Sequence, residues 1–483
     1  MNAELPTALL IDGRLREGRG ETRSVNNPAT GVELLNVREA SAQDLDDAFD
    51  AARRAMPSWA AMPTQERART LRAASDVVLR DLDRLVAIVV AELGKPVTQA
   101  RGEVEGAARF FSYTASLLET LTDEIRYTGN PGEEIWTRRR PVGVVAAIIP
   151  WNFPSALAAR KIAPAVAAGN AIVLKPDEKT PLSALAIAQL LAEAEIFPAG
   201  VVNVVTGSGE QVGAAMVSDP RSDLVTMTGS PQAGKEILAA AAASVKPVSL
   251  ELGGNAPFIV LPDADLTKAI DDAVFSRFMN CGQVCIANER TFVHDSIEEE
   301  FVERYVTAVR ALVVGDPASE STDVGPKVSA EELEKTERLV ATGIAAGGQL
   351  RAGGSRLREG AYAAGHWMAP TVVTRVSDDN PLMTDEIFGP VTPVAAFSSF
   401  DEVVCRANET RYGLSAYVYT NELATAMRAI NELSFGEVYI NRPGPEEVNG
   451  YHVGYRESGL GGDDGPHGLD VYFRRQTAYV NYR

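Results

Sequence analysis

The chain has 483 residues, 45% of them hydrophobic and 23% charged, which is typical of a globular protein with a large buried core. This length exceeds what one ordinary core supports, so two or three domains are expected. The 46 basic and 65 acidic residues give a net charge of −19, and this balance disfavours nucleic acid and anionic membranes as partners.

The first 140 residues contain three kinds of segment. Short strands and turns are predicted over residues 8–40, and a helical pattern runs from the N-cap Ser41 to Leu121, with a break at Gly94–Pro96. Residues 124–140 mix aromatic and basic side chains around a Gly-Asn-Pro-Gly turn. They carry too little apolar material for a core, so we expect an arm that packs on another domain or subunit.

Strands and helices alternate from Val142 onward. The segment Val142–Pro150 is a continuous apolar run, as in the buried strands of parallel sheets. The strands predicted after it are Ala171–Lys175, Val201–Val205, Leu224–Met227 and Val248–Leu252, and the helices are Ser155–Ala168, Ser183–Ala194, Gly209–Val217 and Gln232–Ala243. This order predicts a parallel sheet covered on both faces, whose ligands bind at the carboxyl ends of the strands.

A second α/β unit is predicted from Asn255. Its strands are Phe258–Val260, Thr291–Val293 and Val391–Ala395, and its helices are Leu266–Phe278, Ile297–Val313, Ala330–Ala346 and Asp401–Ala407. The last residues, Gln476–Arg483, alternate with period 2 and predict a strand. A terminal strand needs a partner sheet, so we expect it to extend the 124–140 arm, within the chain or across subunits.

Cysteine and histidine are scarce. The three cysteines, Cys281, Cys285 and Cys405, form no disulfide framework and suit a reducing cytoplasm. Cys281 and Cys285 are spaced i, i+4, but no histidine or carboxylate cluster completes a tetrahedral set, so no metal site is predicted. The N-terminal residues have neither the basic start nor the apolar run of a signal peptide.

The segment Phe278–Cys285 contains the candidate nucleophile. A thiolate is strongly nucleophilic, and Gly282 lets a substrate and backbone N–H groups approach the sulfur of Cys285. The alternative is a buried cysteine that acts as a small hydrophobe.

Several polar residues follow the predicted strands. Asn152 lies between two prolines and can donate to an oxyanion. Lys175 and Glu178 can hold ribose hydroxyls, and the N–H groups of Gly229–Gly234 favour a pyrophosphate. The segment Gly207–Gly213 only loosely imitates a dinucleotide fingerprint. Each of these features, taken alone, also fits a plain turn.

Two carboxylates complete the set of candidates. Glu251 precedes two glycines, and a sheltered carboxylate has a raised pKa and can deprotonate water near neutral pH. Glu386 and Phe388 suit a ribose hydroxyl and a ring face. The alternatives are a strand-end acid that points to solvent and a loop with a buried phenylalanine.

Together and in this order, the motifs resemble the aldehyde dehydrogenase superfamily. The most specific parts of the resemblance are Pro150–Pro154, Glu251–Gly254, Phe278–Cys285 and Glu386–Pro390. It implies an α/β fold with two parallel-sheet domains, a variant Rossmann NAD-binding domain and a catalytic domain, and a β-arm that makes dimers or tetramers. The implied boundaries are 1–123 with 142–254 for the NAD-binding domain, 255–465 for the catalytic domain, and 124–141 with 466–483 for the arm.

The same resemblance implies roles for individual residues. Cys285 is the nucleophile, Asn152 lines the oxyanion hole with the Cys285 backbone N–H, and Glu251 is the general base. Cys281 is expected in the pocket wall. NAD is the implied cofactor, with NADP possible, and the residues expected around it are Ile149, Pro150, Trp151, Lys175, Glu178, Gly209, Gly213, Gly229, Ser230, Gly234, Leu252, Glu386 and Phe388. Glu178 would repel a 2′-phosphate, whereas Lys175 could tolerate one.

The implied reaction is the oxidation of an aldehyde to the carboxylic acid through a thiohemiacetal and a thioester on Cys285. The tail, Tyr439–Gly462, is similar to the lactaldehyde and glycolaldehyde dehydrogenase branch, which places Arg160, Glu446 and His452 near a small hydroxyaldehyde. Arg160 could instead bind the carboxylate of succinate semialdehyde or a related anionic aldehyde, or be a helix-surface charge. His452 could simply satisfy a loop carbonyl.

Two further functions compete with hydrolytic aldehyde oxidation. CoA-acylating relatives generally lack the glutamate that is present here as Glu251, which favours hydrolysis. A non-catalytic binding protein could reuse the fold, but the joint presence of Cys285, Glu251 and Asn152 disfavours it.

Overall fold

Two large β-sheets organise the computed structural model, which describes residues 5–483. The first sheet has eight strands, and its five central strands run parallel. In spatial order its strands are Arg14–Arg16, Leu9–Ile11, Val202–Val204, Ala171–Lys175, Val144–Ile148, Leu224–Thr228, Val248–Glu251 and Gly459–Leu460. The pairing is antiparallel at both edges. Two strands from the start of the chain, Leu9–Ile11 and Arg14–Arg16, form one edge, and Gly459–Leu460 from near its end forms the other.

Helices cover both faces of this sheet. They are Ala42–Ala61, Thr64–Arg80, Leu82–Leu93, Val97–Leu118, Pro154–Ala167, Leu182–Glu193, Ala214–Ser218, Pro231–Ala242 and Gly465–Asp470. The first of them begins with a capping box, because Ser41 accepts from the Asp44 N–H while the Asp44 carboxylate accepts from the Ser41 N–H. Gly94, in the left-handed region at φ 74°, ends the helix Leu82–Leu93.

The second sheet has seven strands, all parallel except the one at its outer edge. In spatial order they are Gln349–Ala352, Thr371–Thr374, Val391–Phe397, Asn288–His294, Ala256–Val260, Ser415–Tyr419 and Glu437–Ile440. The helices of this unit are Leu266–Phe278, Glu298–Ala311, Ala330–Ala345, Pro381–Thr384, Phe400–Asn408 and Leu423–Glu432. The two short strands His452–Val453 and Gly462–Asp463 pair with each other in the tail.

The arm is a three-stranded antiparallel sheet. Its strands are Phe473–Asn481, Glu133–Pro141 and Glu124–Tyr127, with the chain terminus on one side. The predicted pairing of the terminal strand with the arm is confirmed, and it occurs within one chain. A separate hairpin joins Thr22–Asn26 to Glu33–Arg38.

The structure confirms the two predicted α/β units and extends several elements. The helix Leu266–Phe278 has its predicted bounds. The expected helix Gly209–Val217 instead begins as a π-helical turn at Gly209–Gly213. The strand Gly459–Leu460 lies within the predicted catalytic domain, 255–465, but pairs with the first sheet. The domain boundaries themselves stay a prediction. Within residues 5–483, no helix is both long and apolar enough to cross a bilayer.

Candidate active site

A cavity of about 610 Å³ lies between the two sheets, at the carboxyl ends of the parallel strands of the first. This volume lies within the range of small-molecule and cofactor sites. The predicted catalytic and cofactor residues that line it are Pro150, Trp151, Asn152, Gly229, Ser230, Glu251, Leu252, Cys285, Glu386 and Phe388. The predicted substrate residues Arg160, Glu446 and His452 line it as well. The cavity therefore brings the predicted catalytic and substrate residues to one place.

The loop that precedes Cys285 has an unusual backbone. Asn280, Cys281 and Gly282 are three consecutive residues in the left-handed region, with φ of 49°, 58° and 72°. Such residues persist only where their surroundings hold them. The Asn280 amide donates to the carbonyl oxygens of Asn152 at 3.0 Å and Gln283 at 3.2 Å. A Cβ on Gly282 would lie 2.2 Å from a carbonyl oxygen, so only glycine fits there.

Cys285 is partly exposed to the cavity, whereas Cys281 is not. Burial raises the pKa of the Cys285 thiol, while the charge of His452 lowers it, and burial prevails. Cys281 is fully buried in an apolar cluster of the second unit. The expectation that Cys281 lies in the pocket wall is wrong, because the left-handed turn points its side chain into the core.

Glu251 ends a strand of the first sheet and is 1% exposed. Neither of its carboxylate oxygens has a hydrogen-bond partner among the described residues. Burial raises the pKa of Glu251 well above its ordinary value, and His452 opposes this. The two following glycines are needed sterically, because a Cβ on Gly253 would lie 2.3 Å from Glu386 Oε2 and one on Gly254 2.3 Å from the Cys285 carbonyl oxygen.

Asn152 is 5% exposed, and one N–H of its amide donates to the Gln283 carbonyl oxygen at 3.1 Å. Its Oδ1 has no hydrogen-bond partner among the described residues. A buried pair supports this loop, because Lys95 contacts Glu103 and donates to the Asn152 carbonyl oxygen at 2.9 Å. No sequence pattern pointed to Lys95 or Glu103, since the loop that they support is distant in the chain.

The loop that carries Glu386 and Phe388 is tied to the nucleophile loop. Glu289 accepts from the backbone N–H groups of Ile387 at 2.8 Å and Phe388 at 3.1 Å. Arg277 pairs with Glu289 at 3.0 Å and donates to the Gly282 carbonyl oxygen at 3.0 Å. One buried ion pair thus holds both loops.

We expect Arg277→Met to lower the free energy of unfolding by about 3–5 kcal/mol, because it leaves Glu289 as an unpaired buried charge. The two side chains are 0% and 1% exposed. Arg304→Met is the control, because it removes an ion pair with Glu300 that is exposed. We expect it to lower the free energy of unfolding by less than about 1 kcal/mol. Urea unfolding of both variants measures the difference. Equal stability of the two variants would contradict a structural role for the buried pair.

Glu386 lies over Gly253 and Gly254, with Oε1 accepting from the Gly254 N–H at 2.8 Å. Its Oε2 accepts no hydrogen bond from a described residue and remains available to a ligand hydroxyl. Burial raises the pKa of Glu386 to about 7. Phe388 has φ 51° and packs edge-on against Trp151, with ring centroids 5.4 Å apart.

The remaining predicted cofactor residues lie outside the cavity, along the same edge of the sheet. They are Ile149, Lys175, Glu178, Gly209, Gly213 and Gly234. Lys175 Nζ donates to the carbonyl oxygens of Pro176 at 2.8 Å and Gly207 at 2.9 Å, and it lies 3.8 Å from Glu178. A Cβ on Gly234 would lie 2.7 Å from Leu252, so glycine lets the helix Pro231–Ala242 approach the strand.

The three predicted substrate residues lie in one polar cluster. Arg160 is 7% exposed and forms ion pairs with Glu446 and with Asp464, which was not predicted. Burial of the Glu446 carboxyl raises its pKa, but the neighbouring Arg160 guanidinium outweighs this effect and lowers the pKa to about 2. Arg160 is therefore not the helix-surface charge that the sequence left open. Its charge is compensated by two carboxylates.

His452 is 2% exposed and contacts side chains rather than a loop carbonyl. Its Nδ1 lies 3.2 Å from Glu437 Oε1, and its Nε2 lies 3.6 Å from Glu251 Oε2. The ring therefore lies between two carboxylates, Glu437 at the start of a strand of the second sheet and Glu251 at the end of a strand of the first.

Comparison with known proteins agrees with this geometry. A model described as the aldehyde dehydrogenase family matches residues 15–478. The chain belongs to the aldehyde dehydrogenase family. It is an NAD(P)-dependent oxidoreductase that acts on aldehydes, and the predicted fold and enzyme class are confirmed.

The similarity to individual relatives extends over almost the whole length of this aldehyde dehydrogenase. It is 47% identical to 3,6-anhydro-α-L-galactose dehydrogenase of Streptomyces coelicolor over 461 residues, which is 95% of this chain and 93% of that protein. It is 41% identical to lactaldehyde dehydrogenase of Escherichia coli over 483 residues, or 99% and 100%. The crystal structure of betaine aldehyde dehydrogenase from Staphylococcus aureus in complex with NAD⁺ superposes with a TM-score of 0.96 at 32% identity and covers 99% of this chain and 95% of that one.

Proposed function

We propose that this enzyme oxidises a 2-hydroxyaldehyde to the 2-hydroxy acid with NAD, through a covalent intermediate on Cys285. The observation that carries the proposal is the convergence of Cys285, Glu251 and Asn152 on one cavity. Beside them lie Glu446 and His452, two polar groups able to bind a substrate hydroxyl.

Each catalytic group has a distinct task in this proposal. The Cys285 thiolate adds to the aldehyde carbon, and the second N–H of the Asn152 amide stabilises the oxyanion together with the Cys285 backbone N–H. The nicotinamide, when bound, supplies the hydride acceptor. The thioester left on Cys285 is then attacked by a water that Glu251 deprotonates. The unpaired, sheltered carboxylate of Glu251 suits this last step.

The strand-end loops fit a dinucleotide. The N-terminus of the helix Pro231–Ala242 opens beside Gly229 and Ser230, where backbone N–H groups and the helix dipole favour a pyrophosphate. Glu386 retains a free oxygen for the ribose next to the nicotinamide. Lys175 and Glu178 would bind the adenosine ribose at the adjoining strand end.

NAD is favoured over NADP because Glu178 would repel a 2′-phosphate. Lys175 Nζ already donates to two carbonyl oxygens, which limits its use as a phosphate ligand. We expect Glu178→Ser to raise the ratio of kcat/KM for NADP to that for NAD about tenfold, equivalent to about 1.4 kcal/mol. Steady-state kinetics with both cofactors measures the ratio. Glu303→Ser, on an exposed helix position, is the control, and an unchanged ratio in Glu178→Ser would remove the assignment.

The substrate class follows from charge and from chemistry. The names of two relatives refer to lactaldehyde and 3,6-anhydrogalactose. Both compounds carry a hydroxyl on the carbon next to the aldehyde. An anionic substrate such as succinate semialdehyde is disfavoured, because Glu446 and Asp464 already neutralise Arg160 and add negative charge to the pocket.

A matched substrate panel tests this class. We expect kcat/KM for lactaldehyde to exceed that for propanal, and glycolaldehyde to exceed acetaldehyde, by at least about tenfold, since the deoxy analogue leaves buried polar groups unpaired. 3,6-Anhydrogalactose and succinate semialdehyde complete the panel, with and without CoA. Preference for propanal or for the anionic aldehyde would overturn the substrate class, and a strict need for CoA would overturn hydrolysis. Cytoplasmic location and a dimeric or tetrameric state stay predictions.

A further inference from the structure

We propose that Lys95 and Glu103 are positioning residues that orient the Asn152 amide toward the oxyanion of the reacting aldehyde. Both side chains contact the loop that carries Asn152, and they act through this loop rather than on the reacting atoms. The proposal deepens the proposed function and rests on the assignment of Asn152 to the oxyanion hole. Lys95 lies at the break between the helices Leu82–Leu93 and Val97–Leu118, and Glu103 lies on the second of them.

The pair is buried, and its two charges compensate each other. The side chains of Lys95 and Glu103 are 1% and 0% exposed, and their charged groups are in contact. The net gain in stability from a buried ion pair is small, because the loss of hydration offsets the attraction. The other hydrogen bonds of both side chains go to residues 152–156, which indicates a role in holding that segment.

Lys95 holds the start of the segment. Its Nζ donates to the Asn152 carbonyl oxygen at 2.9 Å and lies 3.5 Å from the centroid of the Phe153 ring. The Asn280 amide donates to the same carbonyl oxygen at 3.0 Å. Because a carbonyl oxygen has two lone pairs, one is used by the ion pair and the other by the turn that precedes Cys285.

Glu103 holds the other end of the segment. Its Oε1 accepts from the backbone N–H groups of Ser155 at 2.9 Å and Ala156 at 3.4 Å. These N–H groups lie in the first turn of the helix Pro154–Ala167, where they have no partner within the helix. A carboxylate at a helix N-terminus also interacts favourably with the helix dipole. Glu103 therefore fixes the chain immediately after Asn152.

These contacts restrict the side-chain amide of Asn152. One of its N–H groups donates to the Gln283 carbonyl oxygen at 3.1 Å. Since the backbone is held on both sides and one N–H is occupied, the amide has little freedom to turn, and its second N–H stays available at the cavity. A displacement of about 1 Å in a positioned group can lower the rate by about 10²-fold.

The rate of NADH formation in the first turnover tests the proposal. We expect Asn152→Ala to lower this rate by about 10²–10³-fold and Lys95→Met to lower it by at least about tenfold. In the Asn152→Ala background, Lys95→Met should cost less than about a further twofold, because Lys95 acts through Asn152. The KM for NAD should stay within about twofold of the wild-type value in Lys95→Met, so that the loss is confined to the rate.

Alkylation of Cys285 by iodoacetamide separates the oxyanion from the nucleophile. The sulfur displaces iodide from a saturated carbon, and no oxyanion forms. Lys95→Met should therefore be alkylated within about twofold of the wild-type rate, although it forms NADH slowly. The Cys285→Ser protein gives the background from Cys281 and Cys405. A parallel loss of alkylation and of NADH formation would overturn the proposal, because it would show that the whole site had moved.

A double variant separates positioning from stability. Lys95→Met leaves Glu103 as an unpaired buried charge, so it is expected to lower the urea midpoint. Lys95→Met/Glu103→Gln removes both charges and should recover the midpoint, but its NADH formation should stay slow because the Asn152 carbonyl oxygen still lacks its donor. Lys246→Met is the matched control, since that lysine is 9% exposed and donates to two backbone carbonyl oxygens away from the cavity. It should lower the midpoint without slowing NADH formation.

Three results would overturn the role of the pair. They are unchanged NADH formation in Lys95→Met, a full further loss in the Asn152→Ala background, and recovery of the rate together with stability in the double variant. Absence of NADH formation by the wild type with every aldehyde, or full activity of Asn152→Ala, would instead count against the proposed function. Far-UV circular dichroism verifies that each variant is folded, and the double variant decides the case if Lys95→Met is not.

Discussion

Replacement of Cys285 by serine is expected to lower kcat for aldehyde oxidation by at least about 10³-fold. The serine hydroxyl has nearly the same shape, but it is far less ionised than a thiol and a poorer nucleophile toward a carbonyl. Cys285 is partly exposed and lines the cavity, so the substitution should not change the fold. Production of NADH, followed by absorbance, measures the loss.

Two controls make this result specific to the nucleophile. Cys405→Ser, at an exposed position of the helix Phe400–Asn408, should keep wild-type activity. Cys285→Ser should still bind NAD, which quenching of tryptophan fluorescence reports, because Trp151 lines the cavity. Full oxidation activity in Cys285→Ser would remove the covalent mechanism altogether.

Replacement of Glu251 by glutamine is expected to lower steady-state kcat by about 10²–10⁴-fold while sparing the first turnover. The amide cannot deprotonate water, so the thioester on Cys285 accumulates. Hydride transfer precedes the attack of water, so one equivalent of NADH per active site should still form as a rapid burst. Stopped-flow absorbance resolves the burst from the slow phase, and Glu236→Gln, on an exposed helix position, serves as the control.

The pH profile of the wild-type enzyme adds an independent check. The pKa of Glu251 is raised, so the base form is lost as the pH falls through that raised value, and deacylation should slow at acidic pH. The Glu251→Gln variant should not show this acidic fall. A variant with unchanged steady-state kcat, or one that loses the burst as well, would contradict the assignment of Glu251 to the water alone.

Sequence reasoning located the residues at the strand ends because local pattern determines them. Val144–Ile148 is an apolar run and Val248–Glu251 is a short strand, both in regular alternation with helices, and the motif residues lie at or just after the strand ends. The pattern of residues alone therefore places Asn152 and Glu251 at the same edge of one sheet.

What could not be predicted depends on pairings that are distant in the chain. Asp464 meets Arg160 across 304 residues, and no local period reports such a contact. The strand Glu437–Ile440 alternates weakly and went unrecognised, so Glu437 received no role. The direction of the Cys281 side chain depended on left-handed residues that only the three-dimensional surroundings enforce.

The single clamp formed by Arg277 and Glu289 has a practical consequence for redesign. Arg277 donates to the Gly282 carbonyl oxygen, and Glu289 accepts from the Phe388 N–H. Because the ion pair joins these two segments, a change in one of them shifts the other. Changes near Phe388 that make room for bulkier aldehydes should therefore also displace the Cys285 sulfur. The rate of acylation should fall as a result. Compensating changes would have to be introduced on both sides of the clamp at once.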